Sequence, residues 1–178
     1  MSSVRPCELP ETTLIRKYQE RGAYADCYVT EVDGPVSQSE FVEAFYTTAL
    51  FKVERAILKW LASRPSTDMG ARQLAEGTTG SFAAWRVEGR NTDQLLLADF
   101  TGRTKSWLMV VPVGGTAVGP RTQLYFGSAV VPRVDAGTGE RKMGFAFHSL
   151  LGFHKLYSRL LLKAARSRVL ASRPARAS

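Results

Sequence analysis

Two histidines, His148 and His154, are the only imidazoles in the chain, and both fall in its last apolar stretch. A spacing of six turns them about 240° apart on a helix, so they cannot hold one metal ion together. His154 stands between Phe153 and Tyr157 on the apolar side of that stretch. From there it could project into a cavity beneath a sheet, as hydrogen-bond donor or general base. The plainer alternative is a half-buried histidine bonded to backbone or to a neighbouring strand. His148 reads as a helix-start or surface residue. Asp99 is the second candidate acid or base. It stands near three leucines, Leu95 to Leu97, and next to Phe100, and a carboxylate in such a strand has to be paired or face solvent. Arg103, Lys105 and Arg86 are the cations that could pair with it. Asp26 and Glu88 raise the same question.

Most catalytic signatures are absent. There is no P-loop, no HExxH, no CxxC and no GxSxG elbow. Gly114, Gly115 and Gly119 lack the spacing and the following helix of a dinucleotide fingerprint. No metal and no cofactor is therefore expected. The two cysteines, Cys7 and Cys27, form no disulfide framework. They read as two reduced thiols, with a single bridge between them as the alternative.

The aromatic residues point toward binding rather than chemistry. Trp85, Trp107 and Tyr125 each fall in the middle of a β-rich run. Strand alternation groups Trp107 with Met109 and Val111, and Tyr125 with Gln123 and Ala129. Aromatic side chains on a concave face, with a few polar tips, are what a cavity for an apolar small molecule needs. The bland alternative is that they simply fill the core.

These residues have to be positioned by a simple order of elements. Pro10–Glu20 could form a short helix ended by Gly22, and Tyr24–Val32 reads as a first strand. Ser37 with Glu40 three residues on is a capping-box pattern. It opens a helix whose apolar positions Val42, Tyr46, Leu50, Val53, Ile57, Trp60 and Leu61 keep helical spacing up to Arg64. Ser66-Thr67-Asp68 caps a second, short helix stopped by Gly77. Four strands follow: Phe82–Glu88, Gln94–Phe100, Lys105–Pro112 and Thr122–Arg133. Short polar connections between them make antiparallel neighbours. Gly114–Pro120 reads as a loop, and Gly127 as a bulge or bend of a curved sheet. A long amphipathic helix, Gly144–Ala171, closes the chain, with Leu150, Phe153, Tyr157, Leu160, Leu161 and Ala164 on one face. An α+β fold results, with a curved antiparallel β-sheet wrapped around the C-terminal helix.

Composition sets the outer limits. The chain has 178 residues, 44% of them apolar and 22% charged, which suits one domain with a sizeable core. That domain spans 21–170, preceded by a partly loose segment 1–20 and followed by a basic flexible tail 171–178. The net charge of +8 is uneven. The first 140 residues carry 15 basic and 16 acidic side chains, whereas nine basic and no acidic ones follow Glu140. Such an end could touch an anionic surface. The alternative is a solvated helix face whose cations complement the helix dipole. No aromatic platform interleaves with the charges, so no specific nucleic acid is expected. Apolar runs stay far below the ~20 residues of a membrane span. Met1–Pro10 has no apolar h-region, which places the protein in the cytoplasm.

The segments Tyr24-Ala25-Asp26, Trp85–Glu88, Ser106–Val110, Tyr125-Phe126-Gly127-Ser128 and Gly152-Phe153-His154-Lys155-Leu156-Tyr157 carry a resemblance. Together with the element order, they make the chain look like the helix-grip, or START-like, superfamily of polyketide cyclases and lipid-binding proteins. Within it the chain resembles a bacterial domain family of unknown function, over roughly residues 20–168. The resemblance implies a hydrophobic cavity between sheet and last helix, and a histidine in that helix. It carries over no catalytic residue. The leading expectation is a small-molecule binding protein for an apolar or aromatic ligand held by Trp85, Trp107, Tyr125, Phe153, His154 and Tyr157. One alternative is an enzyme of cyclase, dehydratase or hydrolase type using the same cavity through His154 or Asp99. Another is a module that binds no ligand and self-associates, for instance as a homodimer.

Overall fold

The computed structural model describes residues 3–53, 66–116, 119–134, 141–142 and 145–173. Nine strands occur among them: β1 (Arg5–Pro6), β2 (Tyr24–Asp33), β3 (Ser81–Phe82), β4 (Trp85–Arg90), β5 (Gln94–Asp99), β6 (Thr104–Thr116), β7 (Gly119–Val130), β8 (Arg133–Val134) and β9 (Arg141–Lys142). The helices are α1 (Arg16–Glu20), α2 (Gln38–Tyr46), α3 (Asp68–Glu76) and α4 (Phe145–Ala171). Strands β3 to β7 form an antiparallel meander, and β2 returns to pair with β7, giving the order β1-β2-β7-β6-β5-β4-β3. The last helix lies against β2 and β7 of this curved sheet. The architecture is thus α+β in a helix-grip arrangement.

Local sequence explains most element ends. Ser37 and Glu40 make the reciprocal capping box at the start of α2, satisfying two donors that a helix start leaves unpaired. Thr67 accepts from Gly70 N to start α3, and Gly77 ends it in the left-handed region at φ +80°, where a side chain would be strained. The long helix expected to run from Ser37 toward Arg64 is interrupted. Thr47 and Thr48 turn their hydroxyls onto the carbonyls of Glu43 and Phe45, and Thr48 then accepts from Phe51 N. Threonine competes with the helical ladder in this way, so α2 stops at Tyr46 and residues 49–53 start a new helical segment. The expected positions Ile57, Trp60 and Leu61 lie outside the described residues.

The sheet buries both faces. On the concave side Tyr28, Leu97, Leu108, Leu124 and Phe126 pack against Phe41 and Phe45 of α2, and against Leu161 and Ala165 of α4. Phe45 meets Phe126 at 4.8 Å between ring centroids, and Tyr46 meets Phe51 at 4.8 Å. On the convex side Leu96, Trp107, Met109 and Ala129 are covered by Leu9, Leu14, Ile15 and Tyr18. The N-terminal segment, expected to be partly loose, is therefore a structural layer. Its β1 pairs with β2, and Ile15 is fully buried.

Three further expectations are corrected. The stretch Gly114–Pro120 is largely strand, because β6 runs to Thr116 and β7 starts at Gly119. Gly127 marks no bulge, since its register with Cys27 and Trp107 is unbroken. A Cβ there would sit 2.9 Å from both Asp26 O and Trp107 Cε3, so the indole lies where a side chain would be. On α4 the buried face runs through Ser158, Leu161, Leu162, Ala165 and Val169, while Phe153 and Leu160 are exposed. The helix lies rotated relative to the apolar stripe.

Candidate functional site

Between the concave face and α4 lies a cavity of about 550 Å³. Its apolar walls come from Phe45 and Phe51 near α2, Trp85 on β4, Phe126 on β7, and Tyr157 and Leu161 on α4. Val53, Phe153, Leu156 and Leu160 also line it and are exposed. They form an apolar rim on its outer side. The volume and character match those of ordinary small-ligand sites.

One wall is polar. The register that pairs β2 with β7 sets Asp26 opposite Ser128, and α4 brings His154 over both. Ser128 Oγ lies 2.7 Å from Asp26 Oδ1 and 2.7 Å from His154 Nε2. Ser128 N also donates to Asp26 Oδ1 at 3.2 Å, and Tyr24 Oη donates to Asp26 Oδ2 at 3.3 Å. His154 Nε2 is 3.5 Å from Asp26 Oδ2. The carboxylate can only accept, so the Ser128 hydroxyl must give its proton to Asp26. Its lone pair then accepts from His154, which puts the imidazole proton on Nε2. The chain of bonds runs His154 to Ser128 to Asp26. This is the reverse of a serine nucleophile, in which the histidine would take the serine proton.

Burial supports this wall. The Asp26 side chain is 9% exposed and His154 29%. Burial, followed by the Asp26 charge, pushes the Tyr24 hydroxyl well above its ordinary range, so it stays a donor. Its ring meets the His154 ring edge-on at 6.5 Å. Two more polar atoms border the cavity without a hydrogen-bond partner among the described residues: Trp85 Nε1 and Ser158 Oγ. Each is a buried group whose desolvation is uncompensated within the chain.

Of the residues expected at the site, the structure brings Trp85, Phe153, His154 and Tyr157 to the cavity. Trp107 and Tyr125 do keep the alternation partners expected of them, but they lie on the convex face beneath the N-terminal segment. The expectation that they share a pocket with Trp85 is corrected: alternation tells which residues share a face, not which face curves inward. Trp107 Nε1 donates to Gln94 Oε1 at 2.9 Å, and the same oxygen accepts from Leu14 N. Asp99 is likewise occupied elsewhere. It accepts from Arg103 N at 2.9 Å, from Thr104 N at 3.2 Å and from the Thr101 hydroxyl, which closes the β5–β6 hairpin. It does not line the cavity. The side chain of His148 lies outside the described residues.

Ser128 and Ser158 escaped sequence reasoning, and Asp26 was only one of several carboxylates. A signal existed for Ser128 and Asp26: both fall on the strand parity of the buried residues Leu124, Phe126 and Tyr28, where a polar side chain needs a partner. Among the described residues no group of three His, Cys, Asp or Glu side chains is placed to hold a metal ion. None of the described helices is long and apolar enough to cross a membrane. The chain matches no protein-family model and no curated protein.

Proposed function

We propose that the protein binds one apolar small molecule that carries a hydrogen-bonding polar group at one end. The observation behind this reading is the cavity of about 550 Å³, apolar along most of its walls and bordered at one place by Ser128 and His154, with Asp26 behind them holding the Ser128 hydroxyl. An apolar body would be held by Phe45, Phe51, Phe126 and Tyr157. A polar head accepting hydrogen bonds would take Trp85 Nε1 and Ser158 Oγ, which have no partner among the described residues, and His154 would orient it. Such a site gains affinity from burial and selectivity from a few fixed polar groups. A START-like kinship and a cytoplasmic place of action belong to the same proposal. The helix-grip arrangement supports the first.

The test is native mass spectrometry of the protein purified from its own host, with released small molecules identified. A stoichiometric apolar acid, ketone or lipid supports the reading. A clean apo mass, together with no thermal stabilisation by a panel of such compounds, overturns it. The same spectrum reports whether one or two copies travel together, which tests self-association through the exposed Phe153, Leu156 and Leu160.

A second reading, an enzyme on the same cavity, is favoured by the bond that holds His154 Nε2 on Ser128 Oγ at 2.7 Å. An imidazole oriented in this way at a cavity wall is placed for proton transfer to or from a bound molecule. His154→Gln would then abolish turnover while leaving ligand-induced stabilisation in place. Loss of binding alone, with no product from the identified ligand in the parent protein, refutes the enzyme.

A further inference from the structure

The two cysteines meet on the face away from the cavity. Strand β1 pairs Arg5 with Val29 and Pro6 with Tyr28, and one step on stand Cys7 and Cys27. Cys7 N donates to Cys27 O at 3.0 Å, and the two sulfurs are 3.0 Å apart. Residues opposed in an antiparallel pair have Cα atoms about 4.5–5.5 Å apart, within the range of roughly 4.4–6.8 Å that a disulfide spans. The separation of 3.0 Å needs about 1 Å of approach to reach bonding distance, which side-chain rotation supplies. The two thiols are not equivalent. Cys27 is buried and Cys7 half-exposed. Both cysteines border a hollow of about 340 Å³ lined also by Glu8, Arg16 and Gln19, and Cys7 is the more exposed of the two. The hydrogen bond between the sulfurs, opposed by burial and aided by Arg5, lowers the Cys7 thiol. The same bond, then burial, raises that of Cys27. Reactivity follows the thiolate and its exposure.

We propose that Cys7 and Cys27 form a reversible redox dithiol whose oxidised form staples the N-terminal segment to β2. With hydrogen peroxide as oxidant, the Cys7 thiolate attacks one oxygen, the O–O bond breaks, and hydroxide leaves to be protonated to water. The Cys7 sulfenic acid that results is attacked by the Cys27 sulfur. The S–S bond forms, the S–O bond breaks, and a second water leaves. The two sulfurs together give up two electrons and two protons, and the peroxide is reduced to two waters. An external dithiol reverses the step by exchange. Arg5 and Pro6 belong to the edge strand of the sheet, so the bond fixes its otherwise short pairing. It closes a loop between residues 20 positions apart, enough to constrain the unfolded chain substantially.

The test treats the reduced full-length protein with hydrogen peroxide under non-denaturing conditions. The expected product is a monomer lighter by two hydrogens, with no free thiol and a Cys7–Cys27 cross-linked peptide. Its melting temperature lies about 5 °C or more above that of the reduced form, given the loop closed, and dithiothreitol restores the reduced state. Cys7→Ser should slow thiol loss at Cys27, because the remaining thiol is buried. Oxygen addition without loss of two hydrogens, or a disulfide-linked dimer as the main product, overturns the proposal. So does equal reactivity of Cys27 in Cys7→Ser.

Discussion

At the scale of single residues, two positions on the convex face decide more than their types suggest. Gly127 lies beneath the Trp107 indole, and an added methyl would come within 2.9 Å of both that ring and a backbone oxygen. Neither neighbour is a flexible chain end, so Gly127→Ala should destabilise by about 1–3 kcal/mol, the usual cost of overpacking. Urea unfolding followed by tryptophan fluorescence would measure it; an unchanged midpoint would mean that the indole can move. Glu88 is the residue left unpaired where the register of β4 shifts between Val87 and Gly89. Its carboxylate receives Lys105 Nζ at 2.6 Å, Lys17 Nζ at 2.7 Å and the Tyr18 hydroxyl. Burial alone would raise it, but those three hydrogen bonds outweigh burial and hold it at about 2. A carboxyl depressed in the folded state stabilises above its unfolded pKa and loses that contribution as pH falls through the folded one. The contribution of Glu88 should therefore be complete above about 4.5 and fade toward about 2. Glu88→Gln should flatten the acid limb of the stability profile in that window and lower stability at pH 7. A parallel offset of the two curves would show that Glu88 titrates alike in both states.

At the scale of elements, the N-terminal layer depends on one amide. Gln94 Oε1 accepts from Leu14 N and from Trp107 Nε1, while Gln94 Nε2 donates to Thr12 O at 3.1 Å. A single buried side chain thus joins the segment before α1 to the sheet. Gln94→Ala leaves two donors and one acceptor unpaired, each costing about 1–3 kcal/mol where water cannot enter. Amide exchange at Leu14 should speed up sharply while that of β6 and β7 stays slow. Uniform acceleration would mean that the segment and the sheet unfold as one unit. This layer also explains what was legible in the sequence. The capping box at Ser37, the stop at Gly77, the meander and the closing helix are local patterns, and each was readable. The position of Trp107 was not, because its face is set by which of two layers covers it. The second layer is built from residues 9–18, where Leu14, Ile15 and Tyr18 do form an apolar patch, but nothing local shows which sheet face that patch covers. The polar wall was hidden for a related reason. Asp26 and Ser128 are 102 residues apart, joined only because β2 returns to pair with β7, a non-local pairing that no window of sequence encodes. The break at Thr47-Thr48 lay within an unbroken apolar period, and only the side-chain bonds of the two threonines reveal it.

For the molecule as a whole, the decisive question is whether the space between sheet and helix is a site or a packing gap. Basic side chains of α4 and its end already serve the frame. Arg166 Nε donates to Glu31 O at 3.0 Å, Arg173 reaches the carbonyls of Asp33 and Pro35, and Arg159 lies 5.6 Å from the Tyr28 ring centroid. The second half of α4 is thus tied to β2 and to the turn that follows it by contacts that lie outside the cavity. Ser158 offers a way to close it. The side chain is buried, its hydroxyl has no partner among the described residues, and it lines the cavity from α4. Replacing it with a larger apolar residue removes an uncompensated polar group and fills empty volume, both of which favour the folded state. Ser158→Leu should therefore melt at or above the temperature of the parent protein. A ligand that binds only the folded state adds about 2.7 kcal/mol at a hundredfold excess over its Kd. The parent protein should gain a clear rise in melting temperature from such a ligand, and Ser158→Leu should gain little. Equal rises in both proteins would place the ligand elsewhere. A marked loss of stability in Ser158→Leu would show instead that the cavity has no room for the added carbons.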